Sequence, residues 1–175
     1  MAAMTWEFQF LYWLQEQRTG WLDWLMPKIT ALGNTGIFWV LLGILLVCMV
    51  RTRRIGLSML VSIVIGVVIG NLILKNLIAR ERPCWIDSQL LLLIENPKDY
   101  SFPSGHTLVS FEGAVSILLK NKKWGIAALA LAILIAFSRL YLFVHFPTDV
   151  LAGAVLGTVI AALVGIWILP SDTAG

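Results

Sequence analysis

Charged side chains are scarce in this chain of 175 residues: Asp, Glu, Lys and Arg together make up 13%. Hydrophobic residues make up 59%, and the mean hydropathy is +0.86. These values exclude a soluble domain and indicate an integral membrane protein. The net charge of +3 fits membrane orientation as readily as an anionic partner. We expect no nucleic-acid partner.

Cysteine and histidine are also rare, with two of each. We expect Cys48 and Cys84 near opposite membrane faces, so a disulfide between them is not predicted. The sequence shows no metal-ligand cluster, and we expect neither a metal nor another cofactor. The length suits one domain over 1–175, with an interfacial helix in 1–20 and a helical bundle in 21–170.

A bilayer-spanning helix needs about 20 mostly apolar residues. The segments that meet or approach this length are 34–50, 55–78, 104–119, 124–143 and 148–169. Residues 21–33 read as an amphipathic lead-in. In 4–18, aromatic and leucine side chains recur at helical spacing between Glu and Gln, which is typical of an amphipathic interfacial helix. We therefore predict an all-α integral membrane bundle of about five transmembrane helices, or six if 4–18 crosses the bilayer.

Two apolar features leave alternatives open. The run QLLLLI at 89–94 is either a membrane-dipping loop beside a substrate entrance or a packed outer helix. Glu112 lies inside a predicted span, where an ionisable residue is a functional candidate by default. We favour a buried hydrogen bond between helices for it.

Basic residues set the orientation. They cluster in the links after the first and third predicted spans, at Arg51, Arg53, Arg54, Lys120, Lys122 and Lys123. The positive-inside rule places both links in the cytoplasm. Residues 79–103 and 144–147 then share the opposite face, and both histidines lie there. We expect a multi-pass protein of the plasma membrane with an extracytoplasmic site.

Three polar clusters converge on that face. The first, KNLIARERP, contains Lys75 and Arg82; the second, PSGH, contains Ser104, Gly105 and His106; the third, SRLYLFVHFPTD, contains Ser138, Arg139, His145 and Asp149. Three isolated cations would be costly in a bilayer, but if they converged on a phosphate its charge would compensate them. The free N–H groups where the PSGH helix starts add an anion site.

The two histidines supply a nucleophile and an acid. Asp149 follows His145 by four residues, and Pro147 suits the first turn of the last span. A carboxylate in that turn can reach back to the imidazole and orient it, as in a catalytic triad.

These clusters resemble the signature of the type 2 phosphatidic acid phosphatase (PAP2) family, also called the lipid phosphate phosphatases. The family pattern is K-x6-R-P, then P-S-G-H, then S-R-x5-H-x3-D, and every defined position matches between residues 75 and 149. Phe143 stands where a small residue is common in relatives, at a free position of the pattern.

The resemblance implies a metal-independent mechanism through a phosphohistidine. It implies that His145 attacks phosphorus, that Asp149 supports it, and that His106 protonates the leaving oxygen. The phosphoryl group would be held by Lys75, Arg82, Ser104, Gly105, Ser138 and Arg139.

The function we predict is hydrolysis of a phosphate or diphosphate on an outer-leaflet lipid. Candidate substrates are a polyprenyl diphosphate such as undecaprenyl diphosphate, phosphatidic acid and phosphatidylglycerophosphate. A lipid phosphotransferase needs the same residues and remains an alternative. A membrane scaffold or transporter would more readily have lost a histidine or the aspartate. The sequence leaves the oligomeric state open.

Overall fold

The structure is a computed structural model that describes residues 5–169. In that range the helices are α1 (Trp6–Glu16), α2 (Gly20–Ala31), α3 (Ile37–Cys48), α4 (Arg53–Gly66), α5 (Lys75–Ile78), α6 (Pro83–Ile86), α7 (Gly105–Leu118), α8 (Lys122–Tyr141) and α9 (Pro147–Ile168). A 3-10 turn at Asn34–Gly36 precedes α3, and a π-helical stretch at Val67–Leu74 joins α4 to α5. The described residues form no strand, so the all-α prediction is confirmed.

Three helical stretches in the described range are long and apolar enough to cross a membrane: Arg53–Ile86, Lys122–Tyr141 and Pro147–Ile168. They contain the predicted spans 55–78, 124–143 and 148–169, apart from a residue or two at their ends. The predicted span 34–50 is the second half of a pair, Gly20–Ala31 with Asn34–Cys48, which bends by 42° and counts as a fourth span if it crosses as one unit.

The remaining predicted span, 104–119, differs most from expectation. It forms α7, whose 14 residues extend only about 21 Å, less than the hydrocarbon thickness of about 30 Å. Nine of its residues are buried, because α4, α8 and α9 pack around it. A short helix is stable here since its neighbours, rather than lipid, cover its sides.

Glycines of α9 bring that helix against α7. A Cβ at Gly153 would lie 2.7 Å from the carbonyl oxygen of Ser104, and a Cβ at Gly157 would lie 2.5 Å from that of Leu108. Spacing of small residues by four lets two helix backbones approach closely. The contact places the start of α7 beside the first turn of α9, where the backbone N–H of Ser104 donates to the carbonyl of Asp149 over 3.0 Å.

A separate apolar cluster covers the end of the bundle that carries the motifs. It joins α1 and α2 to the α8–α9 turn through buried side chains, and the 90–94 part of the loop before α7 packs against it. Residues 89–94 are not helical, so the packed outer helix considered from the sequence is wrong. Residues 1–4 and 170–175 lie outside the described range, as do the ends of the predicted 1–20 and 4–18 segments.

The α8–α9 turn shows how Phe143 is accommodated. Its backbone has φ +59°, a left-handed conformation that favours glycine. The side chain is fully buried, and its ring lies 5.6 Å from that of Tyr12 and 6.3 Å from that of Phe8. Packing by α1 therefore stabilises a backbone conformation for which a small residue would be the simpler choice.

Candidate active site

The three motif clusters meet around a cavity of about 640 Å³ at one end of the bundle. Six of the nine predicted site residues line it: Lys75, Arg82, Gly105, His106, Arg139 and His145. The other three, Ser104, Ser138 and Asp149, are buried outside the lining. The wall also includes the break between α2 and α3 and the loop 94–99, which the sequence analysis did not assign to the site.

His145 and Asp149 are held together by the start of α9. Asp149 lies in the first turn and accepts a hydrogen bond from the backbone N–H of Phe146 at 2.9 Å, which caps the helix. Its Oδ2 lies 3.6 Å from Nδ1 of His145. Ser101 lies beside both groups: its hydroxyl donates to Oδ2 at 2.5 Å and is 3.4 Å from Nδ1. The carboxylate thus faces the Nδ1 side of the imidazole.

The other ring nitrogen of His145 faces the cavity side. Its Nε2 lies 3.0 Å from Nη1 of Arg82. A guanidinium can only donate hydrogen bonds, so Nε2 is the acceptor and Nδ1 carries the ring proton. This tautomer directs the proton towards Asp149 and leaves Nε2 unprotonated, which is what a nucleophilic imidazole requires; an electrophile would take the place of the Arg82 donor.

Burial also keeps the His145 imidazole unprotonated. His145 is almost completely enclosed, and burial, followed by the charges of Arg82 and Arg139, holds its pKa well below the usual value. The imidazole is therefore neutral at neutral pH. A neutral ring can attack phosphorus, whereas a protonated ring cannot.

Lys75 and Arg82 lie side by side and share one carboxylate. Asp99, from the loop before α7, forms ion pairs with Nζ of Lys75 and, at 2.8 Å, with Nη2 of Arg82. Arg82 also donates to the carbonyl oxygens of Asp99, at 2.6 Å, and of Val144, at 2.7 Å. Burial by itself would raise the pKa of Asp99, but the hydrogen bonds and charges of the two cations lower it to about 2.

The start of α7 supplies a second set of donors. Ser104 caps the helix, with its Oγ 3.5 Å from the N–H of Thr107 and 2.9 Å from the Thr107 hydroxyl. The Ser104 N–H donates to the backbone carbonyl of Asp149, and the Thr107 N–H to Oγ of Ser104. The anion site expected at this helix start would therefore use the N–H groups of Gly105 and His106. A Cβ at Gly105 would lie 3.0 Å from Oδ1 of Asn71, which explains why a residue without a side chain fits there.

His106 lies in the first turn of α7 and contacts the break between α2 and α3. Its Nε2 is 2.9 Å from Oδ1 of Asn34, an acceptor, so Nε2 carries a proton in this arrangement. Gly33 lies directly against the ring, since a Cβ there would be 2.7 Å from Cδ2. The bend that interrupts α2 and α3 thus shapes the pocket around the second histidine.

Arg139 is buried, and its side chain reaches the cavity wall. Nη1 donates to the hydroxyl of Thr30 at 2.6 Å, while Nε has no hydrogen-bond partner within residues 5–169. Its neighbour Ser138 donates to the carbonyl of Ile135 at 2.6 Å and does not line the cavity. The structure therefore brings Arg139 to the site and uses the Ser138 hydroxyl within α8.

Glu112 lies in α7, away from this cavity. It is buried against Gly66 of α4, and its Oε1 has no hydrogen-bond partner in the described part of the chain. The interhelical hydrogen bond that we favoured from the sequence is not seen for that oxygen.

Several polar residues at the site were not singled out from the sequence. Arg80 donates from Nη1 to Oδ1 of Asp149 at 2.7 Å and from Nη2 to Oε2 of Glu7 at 2.6 Å. Arg80 lies within the RERP run and Asp99 shortly before PSGH, so their positions beside the motifs could have indicated that they belong to the site. The sequence gives no such indication for Glu7, because 73 residues separate it from Arg80.

A buried histidine–carboxylate pair thus lies beside several cations and the start of a helix, inside an all-α membrane bundle. The model of the PAP2 superfamily matches residues 54–171, and the chain belongs to that family. It is a membrane lipid phosphatase of the PAP2 type.

Named relatives agree with this assignment. The chain is 39% identical over 143 residues to an undecaprenyl-diphosphatase of Sulfolobus acidocaldarius, a match that covers 81% of this chain and 68% of that one. It is 33% identical over 159 residues to phosphatidylglycerophosphatase B of Bacillus subtilis, covering 84% and 75%.

A solved structure is also similar. The crystal structure of a transmembrane PAP2-type phosphatidylglycerolphosphate phosphatase from Bacillus subtilis superposes with a TM-score of 0.76 at 28% identity, covering 95% of this chain and 86% of that one.

Proposed function

We propose that the chain hydrolyses the terminal phosphoryl group of a membrane lipid at the extracytoplasmic face, through a phosphohistidine at His145. The observation that carries the proposal is the setting of His145. Its Nε2 contacts Arg82 in a cavity that Lys75 and Arg139 also line, and its Nδ1 faces the buried carboxylate of Asp149.

In the first step, Nε2 of His145 attacks phosphorus, and the bond from phosphorus to the leaving oxygen breaks. The leaving oxygen takes a proton from His106. In the second step, water attacks the phosphohistidine and gives a proton to His106, the P–N bond breaks, and phosphate is released. Asp149 stabilises the positive charge that develops on the imidazole.

Charge balance supports a phosphate as the bound group. Lys75, Arg82 and Arg139 carry three positive charges around the cavity, and Asp99 carries one negative charge. The resulting net charge of about +2 matches a phosphate monoester, which carries close to −2 above its second pKa of about 6. Fixed donors of this kind stabilise charge spread over the transferring oxygens.

The shape of the cavity suits a lipid. Besides its polar groups, it is lined by Ile63 and Val67 of the long helical stretch that ends near Lys75. Ile63 precedes Lys75 by twelve residues, or roughly 18 Å along a helix axis. The cavity therefore reaches from the cations towards the membrane interior, where an acyl or prenyl tail would lie.

The positions of the basic turns support the orientation. The turn before α4 and the turn before α8 lie at the same end of the bundle, since Thr52 and Asn121 line one apolar cavity there. Lys75, Arg82 and the two histidines line the cavity at the other end. The positive-inside rule places the basic end in the cytoplasm and the site outside.

The names of the relatives support a polyprenyl diphosphate, such as undecaprenyl diphosphate, or phosphatidylglycerophosphate as the first substrates to test, with phosphatidic acid as a further candidate. The direct test is a panel of radiolabelled lipids that includes these two and phosphatidic acid. We expect release of free phosphate. Transfer of the label to a second lipid would instead establish the phosphotransferase alternative.

Substitutions separate the roles of the two histidines. His145→Ala should abolish turnover and any trapped phosphohistidine on every substrate. His106→Ala should slow phosphorylation of the enzyme by lipid alkyl phosphates by about 10²–10⁴-fold, the usual value of general acid help. It should slow the first-turnover release of p-nitrophenolate from p-nitrophenyl phosphate much less, because that leaving group needs no proton. The comparison is made on this first step, because hydrolysis of the phosphohistidine is common to both substrates. Equal loss on both substrates would refute the role of His106. Phosphorylation of the His145→Ala protein would refute the nucleophile.

A further inference from the structure

The carboxylate behind His145 is part of a longer chain of charges that begins in the N-terminal helix. Glu7 of α1 contacts Arg80, and Arg80 contacts Asp149. Asp149 is fully buried, the Glu7 side chain is 11% exposed, and that of Arg80 is 26% exposed. These contacts are shielded from water far better than an ordinary surface ion pair, so they are energetically significant.

Thr148 forms hydrogen bonds with both Arg80 and Glu7. Its hydroxyl accepts from Nη1 of Arg80 at 2.7 Å and donates to Oε1 of Glu7 at 2.7 Å, and its backbone N–H also donates to Oε1 at 3.2 Å. Both carboxylate oxygens of Glu7 are therefore engaged, one by Arg80 and one by Thr148 of α9. The network fixes α1 to the same turn of α9 that carries Asp149.

The signs of these charges matter for the chemistry. Arg80 alone would neutralise Asp149 and weaken its ability to stabilise a positively charged imidazole. Glu7 balances Arg80, so the trio Glu7, Arg80 and Asp149 keeps a net charge of −1. That charge is available when His145 becomes a phosphorylated imidazolium, while Arg80 still holds Oδ1 in place.

We propose that Glu7 and Arg80 are positioning residues for phosphoryl transfer: Arg80 orients Asp149, and Glu7 balances the charge of Arg80 so that Asp149 acts on His145 as a full anion. The inference rests on the proposed function, because it assumes that His145 is phosphorylated. In this proposal α1 contributes to phosphoryl transfer through Glu7, in addition to its predicted place at the membrane surface.

The test uses Glu7→Gln, which keeps the size of the side chain and its ability to accept hydrogen bonds but removes the charge. We expect kcat for the lipid phosphate to fall about 10-fold, as Coulomb's law gives for one charge roughly 10 Å away at an effective dielectric constant of about 20. KM should change by less than about twofold, since Glu7 is not placed against the phosphate. The matched control is Glu16→Gln, an exposed glutamate of the same helix.

A second pair of variants tests the sign of the effect. Arg80→Gln removes the donor to Asp149 and should lower kcat, while Arg80→Lys should retain more activity because it keeps the charge. In Arg80→Gln the Glu7 charge is no longer balanced. The double variant Glu7→Gln with Arg80→Gln restores the net −1 charge and should be more active than the product of the two single effects.

The outcomes are separable. Wild-type kcat in Glu7→Gln, a change confined to KM, or a double variant equal to the product of the single effects would each overturn the positioning proposal. If wild-type protein forms no phosphohistidine, or if His145→Ala still forms one, the proposed function falls instead, whatever the behaviour of Glu7.

Discussion

Replacing Asp99 by asparagine should tighten the binding of phosphate-like anions. The Asp99 carboxylate pairs with Lys75 and Arg82, the two cations expected to hold the phosphoryl group. An arriving phosphate must therefore compete with a carboxylate that is tethered to the same chain. Asparagine has nearly the same size but no charge, so it competes less well.

The expected gain in anion affinity can be estimated from the solvent exposure of the two ion pairs that Asp99 forms. The Asp99 side chain is 56% exposed, although those of Lys75 and Arg82 are 9% and 2% exposed. Ion pairs open to solvent contribute about 0.2–1 kcal/mol each, so two of them amount to about 0.4–2 kcal/mol. Because about 1.4 kcal/mol corresponds to a factor of ten, anion affinity should rise about 2- to 30-fold.

The assay is inhibition of p-nitrophenyl phosphate hydrolysis by orthovanadate in detergent solution. Glu95→Gln is the matched control, because Glu95 lies in the same loop, lines the same cavity and is exposed. It removes an equal charge without an ion pair to Lys75 or Arg82. The low pKa of Asp99, about 2, keeps the carboxylate ionised, so the difference between variant and wild type should hold from about pH 5 to 8.

Unchanged or weaker inhibition of Asp99→Asn would refute this reasoning. It would mean that Asp99 does not occupy the anion position, or that it is needed to hold the two cations in place for the phosphate. An equal gain in Glu95→Gln would attribute the effect to general electrostatics of the loop.

Four further predictions concern orientation, metal, pH and packing. With Cys48 and Cys84 replaced by serine, Ser88→Cys should react with an impermeant maleimide in intact cells and Lys122→Cys should not; the reverse pattern would overturn the orientation. Activity should survive EDTA, because fixed cations already neutralise the phosphate, and loss that Mg²⁺ restores would contradict the mechanism. The acid limb of kcat/KM assigned to His145 should lie below pH 6.5, since burial lowers its pKa and the neutral ring persists as pH falls; a pH–rate profile with that limb above 6.5 would exclude the assignment. Gly157→Ala should destabilise the protein by about 1–3 kcal/mol in thermal melts, because its Cβ would lie 2.5 Å from the Leu108 carbonyl, whereas Gly20→Ala, with open space around it, should not; equal melting temperatures would rule out close α7–α9 packing.

The sequence by itself determined the fold class and identified most residues of the candidate site. Long apolar runs require helices in a membrane, and the short spacing places the carboxylate of Asp149, in the first turn of α9, close to His145 just before that helix. The residues of K-x6-R-P, P-S-G-H and S-R-x5-H-x3-D are identifiable because their chemistry is local to each motif. Six of the nine predicted site residues indeed line one cavity.

Only the tertiary structure shows how the three motifs contact one another and which further residues contact them. The short α7 is stable because other helices cover it, which length and hydropathy cannot show. The contacts of Asp99 with Lys75, and of Glu7 with Arg80, join residues 24 and 73 positions apart. Such pairings depend on how helices and loops pack in three dimensions, and no local periodicity encodes them. The same holds for Ser138, whose motif position predicted a phosphate ligand but whose hydroxyl bonds within its own helix.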